Sequence, residues 1–287
     1  MARLALALLV TLALELGVQA APLLEPIVLN APESSEATPS AAPAAPLDAA
    51  TPAAEPATEE DSLWPTVTLD TSFFNKYVWR GLVLTDGPVF QPSVTLEWQG
   101  LSLNVWGNLD LDNVNNLRGE FNEVDYTIGY EHEIIGPLSG SVGFIVYEFP
   151  NTAFRTTTEF MAGLSLDVPL QPSLTAYFDL RETDGIYLLA EIGHSIELPK
   201  FAKNITASVD LGAGLGWGSV KNNSFYFGVA SEGATDYYFS LGLPIAIGEH
   251  LTITPNIKYT SILDGDLRRA VANDDNLVYG ISLAVSF

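Results

Sequence analysis

The last eleven residues, Leu277-Val-Tyr-Gly-Ile-Ser-Leu-Ala-Val-Ser-Phe287, alternate without a break. Leu277, Tyr279, Ile281, Leu283, Val285 and Phe287 share one face; Gly280, Ser282, Ala284 and Ser286, all small, share the other. An apolar face backed by a small or polar one, over the roughly 9–11 residues a tilted strand needs to cross a bilayer, is the pattern of a transmembrane β-strand. The rest of the chain has to be compatible with that reading.

The chain begins with Arg3, an apolar run from Leu4 to Leu14, and Val18-Gln-Ala20, the small-residue pattern of a signal-peptidase site. Residues 1–20 are therefore expected to be a signal peptide. No cysteine occurs anywhere, which excludes a lipoprotein anchor, disulfides and thiolate chemistry. After the signal, no apolar stretch reaches the roughly 18 residues of a membrane helix. Residues 21–62 are rich in Ala, Pro, Ser, Thr and Glu and contain eight acids and no base. Such a segment buries too little apolar surface to order itself, so a disordered acidic linker is expected there, most simply a passive spacer in the periplasm. The whole chain carries a net charge of −23, and an acidic surface repels phosphate backbones, which argues against nucleic-acid binding.

From residue 63 onward the pattern changes to alternating segments bounded by Gly, Pro, Asn and Asp, the mark of many short antiparallel strands. Twelve are expected, at about 66–80, 89–98, 101–111, 121–133, 140–149, 156–168, 173–181, 185–197, 204–217, 235–247, 250–262 and 276–287. One face of each is apolar, as in Leu101, Leu103, Val105 and Leu109; the other is polar or small, as in Asn104, Asn108 and Asp110. Segment 140–149 leaves its face open, because Val142/Phe144/Val146 and Gly143/Ile145/Tyr147 would serve equally as an outward set. Connections alternate between short turns such as Gln99-Gly100 and longer loops such as 219–235, as in an even-stranded barrel with short periplasmic turns and long extracellular loops. Aromatic residues near strand ends (Trp64, Tyr77, Trp79, Trp98, Tyr130, Trp217, Tyr237, Tyr259, Phe287) fit interfacial girdles. A soluble sandwich would also alternate, but its second face would meet water rather than an enclosed wall.

The block Asn75-Lys-Tyr-Val-Trp-Arg-Gly81, followed by Asp86-Gly-Pro88 and by Gly100-Leu-Ser-Leu-Asn-Val-Trp-Gly-Asn108, resembles the start of the TorF family of outer-membrane porins, with Asn75, Tyr77, Trp79, Arg80 and Gly81 in the motif. Further similar stretches are Glu123-Val-Asp-Tyr126, Gly143–Pro150 and Glu159–Leu164, with Phe149 standing where the family has Tyr before Pro150. The resemblance implies a 12-stranded outer-membrane barrel and no catalytic residues. The closing Phe287, with Tyr279 and Val285, also resembles the terminal signal that delivers outer-membrane barrels to their assembly machinery.

Continuing the alternation of Val67, Leu69, Thr71 and Phe73 places Asp70, Lys76 and Arg80 on the lumen face, where charges have to be paired or hydrated. Asp110, Asp125 or Glu97 are the expected partners. With Arg181 and Lys258 they form a lumen charge cluster that is either a charge-selective constriction or a structural network stiffening the wall. Inward acids outnumber inward bases, so a pore would favour cations. His132, His194 and His250 all fall near the short-turn end, where a membrane-facing hydrolase would not place them, so no catalytic residues are expected. The acid-rich stretches 110–116 and 264–275 contain oxygen ligands but lack the Gly and Glu spacing of a calcium loop; solvated loop acid, or weak divalent bridging to lipopolysaccharide, accounts for them, and no metal or cofactor is expected.

The expectation is an all-β, 12-stranded antiparallel transmembrane β-barrel over 63–287, preceded by a signal peptide and a disordered Pro/Ala-rich linker. Its partners would be outer-membrane lipid, lipopolysaccharide, the barrel-assembly machinery and small solutes. Passive diffusion of small cationic or neutral solutes through the lumen is the leading reading, and a non-conducting structural or interaction barrel of the envelope is the alternative.

Overall fold

The computed structural model describes residues 64–200 and 202–287; the expected signal peptide and linker lie outside the described residues. The wall begins with β1 (Thr66–Phe74) and continues, after a hairpin of β2 (Tyr77–Trp79) and β3 (Leu82–Thr85), through β4 (Val89–Trp98), β5 (Leu101–Asp110), β6 (Phe121–Ile135) and β7 (Leu138–Glu148). It goes on with β8 (Thr157–Leu166), β9 (Ser173–Asp179), β10 (Ile186–Glu197), β11 (Ile205–Gly218), β12 (Gly233–Gly242), β13 (Ile245–Ile247), β14 (Leu251–Ile262) and β15 (Asp275–Ser286). Two short helices, α1 (Val220–Phe227) and α2 (Gly265–Ala270), sit in the loops before β12 and β15.

Every wall strand pairs antiparallel with its neighbours, and β1 pairs with β15 from Thr68↔Ser286 to Phe74↔Gly280, so first closes on last. β12 and β13 form one stave, since both pair with β11 and β14 and only Leu243-Pro244 separates them. Proline has no N–H for the ladder, which explains the interruption. Counted this way, the structure is a closed barrel of twelve antiparallel staves, as the alternation requires.

The outer surface is apolar. On β15, Leu277, Tyr279, Ile281 and Leu283 are exposed, while Gly280, Ser282, Ala284 and Ser286 line the inside. A closed ladder leaves no unpaired edge, which is the condition for placing a sheet in hydrocarbon. β7 also declares its face: Val142 and Phe144 are exposed outside, whereas Ile145 and Tyr147 are buried inside. Trp98 and Tyr130, which flank Leu101 in register, place aromatic rings outside at the short-turn end.

The expected strand 66–80 is corrected: the chain leaves the wall after Phe74. Asn75 is the cause. Its N–H donates to the Tyr279 carbonyl (3.1 Å), its side-chain oxygen accepts from the Tyr279 N–H (2.8 Å), and its amide nitrogen donates to the Leu277 carbonyl (3.1 Å). One residue thus satisfies the edge of β15 that the next residues of a continuing strand would have paired, and the chain is free to turn inward. β2 and β3 then fold as a hairpin inside the barrel. Tyr77 and Trp79, expected in a girdle, are instead 2% and 1% exposed in the lumen.

That hairpin nucleates the core. Tyr77 and Trp79 pack with wall residues from the long-loop ends of their strands (Val89, Tyr147, Tyr187, Ile262), and with Tyr226 of α1 and Leu267 of α2. Helix α1 is capped by Ser219 at its start and by Gly228, in the left-handed region at φ 68°, at its end. Helix α2 starts at Asp264, whose carboxylate accepts from the N–H groups of Asp266 (2.8 Å) and Leu267 (3.1 Å). Its last-turn Arg268 donates to Asp274 at 2.5 Å. The acids of 264–275 therefore act as a helix cap and ion-pair partners, a more specific role than solvated loop acid.

Candidate functional site

The tip of the hairpin is Arg80-Gly81, with φ of 45° and 80°. Two consecutive positive φ values match a tight hairpin turn whose usual residues are Asn and Gly. Gly81 suits its place, because a Cβ there would collide with Ile262 Cδ1 and stand 3.0 Å from Asp236 Cβ. Arg80 does not suit a left-handed position, and a non-glycine there costs roughly 1 kcal/mol or more. Its side chain explains why it is held.

The guanidinium donates to Glu159 through two parallel bonds, Nη1 to Oε1 (3.0 Å) and Nη2 to Oε2 (2.8 Å). Its carbon lies 4.2 Å from the Trp79 ring centroid, 4.1 Å from Tyr187 and 4.7 Å from Tyr177. Forked carboxylate pairing and aromatic faces are the two recognition modes a planar guanidinium offers, and cation–π contact reaches about 2 kcal/mol when desolvated. Burial works against the Arg80 charge, but the Glu159 carboxylate more than offsets it, so the proton is held more tightly than on a free arginine.

The partners are themselves fixed. Tyr147 Oη donates to Glu159 Oε2 (2.8 Å), and Tyr187 Oη to Asp236 Oδ1 (3.1 Å), which also accepts from Thr235 Oγ1 (2.6 Å). The hairpin has two more anchors. Tyr77 Oη donates to Glu123 Oε2 (3.0 Å), and burial followed by the nearby Glu123 charge raises that phenol's pKa well above its ordinary value, keeping it a donor. Thr85 Oγ1 donates to Asp110 Oδ1 (2.8 Å), a carboxylate further ringed by Asn115 (2.9 Å) and Asn122 (3.0 Å). Trp79 meets Tyr226 edge-on at 5.1 Å and so joins the hairpin to α1. The gap left beside Trp79, Arg80 and Tyr226 is about 10 Å³, room for one water at most.

The sequence-expected charge cluster is brought together only in part. Arg80 pairs with Glu159, not with Asp110, Asp125 or Glu97. Lys76 reaches Asp86 on its own hairpin (2.7 Å) and Asn276 (3.4 Å). Glu97 is exposed near the short-turn end of β4, and Arg181 is exposed in the loop after β9, outside the lumen. Asp70 is half-buried and accepts from Ser72 (3.0 Å); the Lys258 ammonium lies 4.3 Å from the Tyr238 centroid, on another part of the wall. Asp110 and Asp125 are buried near the hairpin, the first as its anchor. Arg80 lies against the wall of β8 to β10.

Two acids escaped the sequence reading. Glu123 precedes inward Asp125 by two, and Asp236 precedes outward Tyr237 by one, so the period of two would have placed both inside. Among the described residues, the buried charged groups are six acids, Asp110, Glu123, Asp125, Glu159, Asp179 and Asp236, and one base, Arg80. Glu123 Oε1 and Asp125 Oδ1 accept no hydrogen bond. The long-loop half of the lumen is thus acid-rich around a single guanidinium. His132 and His194 are exposed at or toward the short-turn end, and His250 there donates from Nδ1 to the Ser286 carbonyl (2.7 Å) and stacks on Phe287 at 5.7 Å.

The sequence matches no protein-family model and no curated protein. Solved structures similar in shape are outer-membrane proteins. They include a KdgM porin (13% identity, TM-score 0.49, covering 77% of this chain and 99% of that one) and a NanC porin (10%, 0.47, 76% and 98%). LpxR from Salmonella typhimurium is another (8%, 0.48, 76% and 99%).

Proposed function

We propose that this barrel is an outer-membrane porin-like conduit for small cationic or neutral solutes, narrowed by an inward hairpin. The observation that carries the reading is the excess of buried acids over the one buried base at the long-loop half of the lumen. Negative walls in a low-dielectric barrel concentrate cations and repel anions. Reversal potentials of the purified protein in a planar bilayer under a salt gradient test it: a cation preference is expected, and an anion preference would overturn it.

The second reading is a non-conducting structural or interaction barrel, favoured by the tight packing of β2, β3 and α1 across the long-loop half. Absence of conductance from correctly folded protein would decide for it. In either case the outward Phe287, with Tyr279 and Val285, supports the reading of β15 as the assembly signal. Removing Phe287 is then expected to lower recovery from outer-membrane fractions without altering refolded protein. The TorF-like block Asn75–Gly81 supports a place in that family, in which the block would be the lumen hairpin; a TorF structure carrying it in the wall would overturn this.

A further inference from the structure

We propose that the wall around Arg80 is a binding site for guanidinium-bearing solutes, which the chain fills with its own arginine. This deepens the reading of the lumen as a cation path and rests on it. Most of the site belongs to the barrel, not to the hairpin: Glu159 on β8, Tyr147 on β7, Tyr177 on β9 and Tyr187 on β10. Glu159 and Tyr187 are oriented by bonds to Tyr147 and Asp236 that do not involve Arg80, so the fork and the ring stay in place when the arginine leaves. Only Trp79 would depart with it.

The occupant defines the ligand. A planar, forked cation satisfies both Glu159 oxygens while presenting its faces to the tyrosine rings; a simple ammonium, a point charge, has neither the fork nor the flat faces. Arg80 reaches this place from the left-handed position of the hairpin's tight turn, at φ 45°, where a non-glycine residue is held at a cost.

The test uses the full-length protein in detergent, where binding is read without any need for conduction. Calorimetric titration of Arg80→Ala with methylguanidinium, and with methylammonium as control, should show methylguanidinium bound at least about tenfold tighter, with that preference lost when Glu159→Gln is added. No preference, or one unaffected by Glu159→Gln, would overturn the proposal. Because Arg80→Ala can fail to fold, hydrogen exchange of wild-type amides 77–85 provides a second reading. Methylguanidinium should speed exchange there by displacing Arg80 and methylammonium should not; equal effects of the two would also overturn it. A site that binds methylguanidinium in a barrel with anion preference would leave the cage standing and remove the cation path.

Discussion

Toward the short-turn end the inward face includes Ser286, Ala284 and Ser282 on β15 and Thr68 and Ser72 on β1, small side chains of which Thr68 bonds Ser286 and Ser72 bonds Ser282 across the pair of neighbouring strands. At the long-loop end the inward face includes Tyr147, Tyr187, Glu159 and Asp236, larger side chains among which Glu159 bonds to a hairpin brought in from the loops and the tyrosines pack with that hairpin and a loop helix. The first half is a wall that the strands complete by themselves. The second has partners from outside the wall, so its stability rests on a few contacts made across the lumen. Mutations should therefore act very differently in the two halves.

The largest effect is expected at Glu159. Its removal in Glu159→Ala leaves a buried guanidinium without its counter-charge, a change that costs about 3–5 kcal/mol. Expulsion of the hairpin relieves it, so trypsin should cut after Arg80 in the variant and leave that bond intact in the wild type. Barrel closure, read as heat-modifiable migration, should persist, because the pairing of β1 with β15 does not depend on this pair. Protection of Arg80 in Glu159→Ala would mean that the hairpin is held by packing alone.

Gly81→Val attacks the same half through shape. The new side chain meets Ile262 and Asp236, and φ 80° is a backbone that a β-branched residue rarely adopts. A loss of about 2 kcal/mol or more in hairpin closure is expected, read as faster hydrogen exchange over 77–85. The same substitution at Gly193, whose Cβ would meet only the Leu211 carbonyl at 3.7 Å, should leave the hairpin untouched. Similar exchange in both variants would erase the distinction between the halves.

That distinction also explains what the sequence made legible. The small half follows from alternation alone: which residues face out, that first pairs with last, and that Gly280 to Ser286 line the lumen. The filled half does not, because alternation continues through Lys76 to Arg80 after the chain has left the wall, and a lumen hairpin has the same period of two as a strand. The break is signalled only by Asn75, whose side chain imitates backbone. Tyr77 and Trp79 were thus expected in a girdle and lie in the lumen, while Arg80 was expected in the lumen but on a continuing strand and beside other acids than Glu159. Glu159 was legible as an inward acid, yet its pairing with Arg80, 79 residues away, is set by which strands face each other across the lumen.

The smallest effect is expected at Lys76, and it sharpens the comparison. Lys76 and Asp86 pair at 2.7 Å, closer than either oxygen–nitrogen contact of Arg80 with Glu159. Distance alone would rank it as the stronger latch. Its side chains are 19% and 50% exposed, however, against 9% and 3% for the Arg80 pair. Water screens the first and is excluded from the second, so Lys76→Ala should cost at most about 1 kcal/mol. It should leave Arg80 protected from trypsin, and raising salt should reproduce its effect in the wild type. If Lys76→Ala released the hairpin as fully as Glu159→Ala, the hairpin would be held from its exposed base, and burial at its tip would no longer account for its place in the lumen.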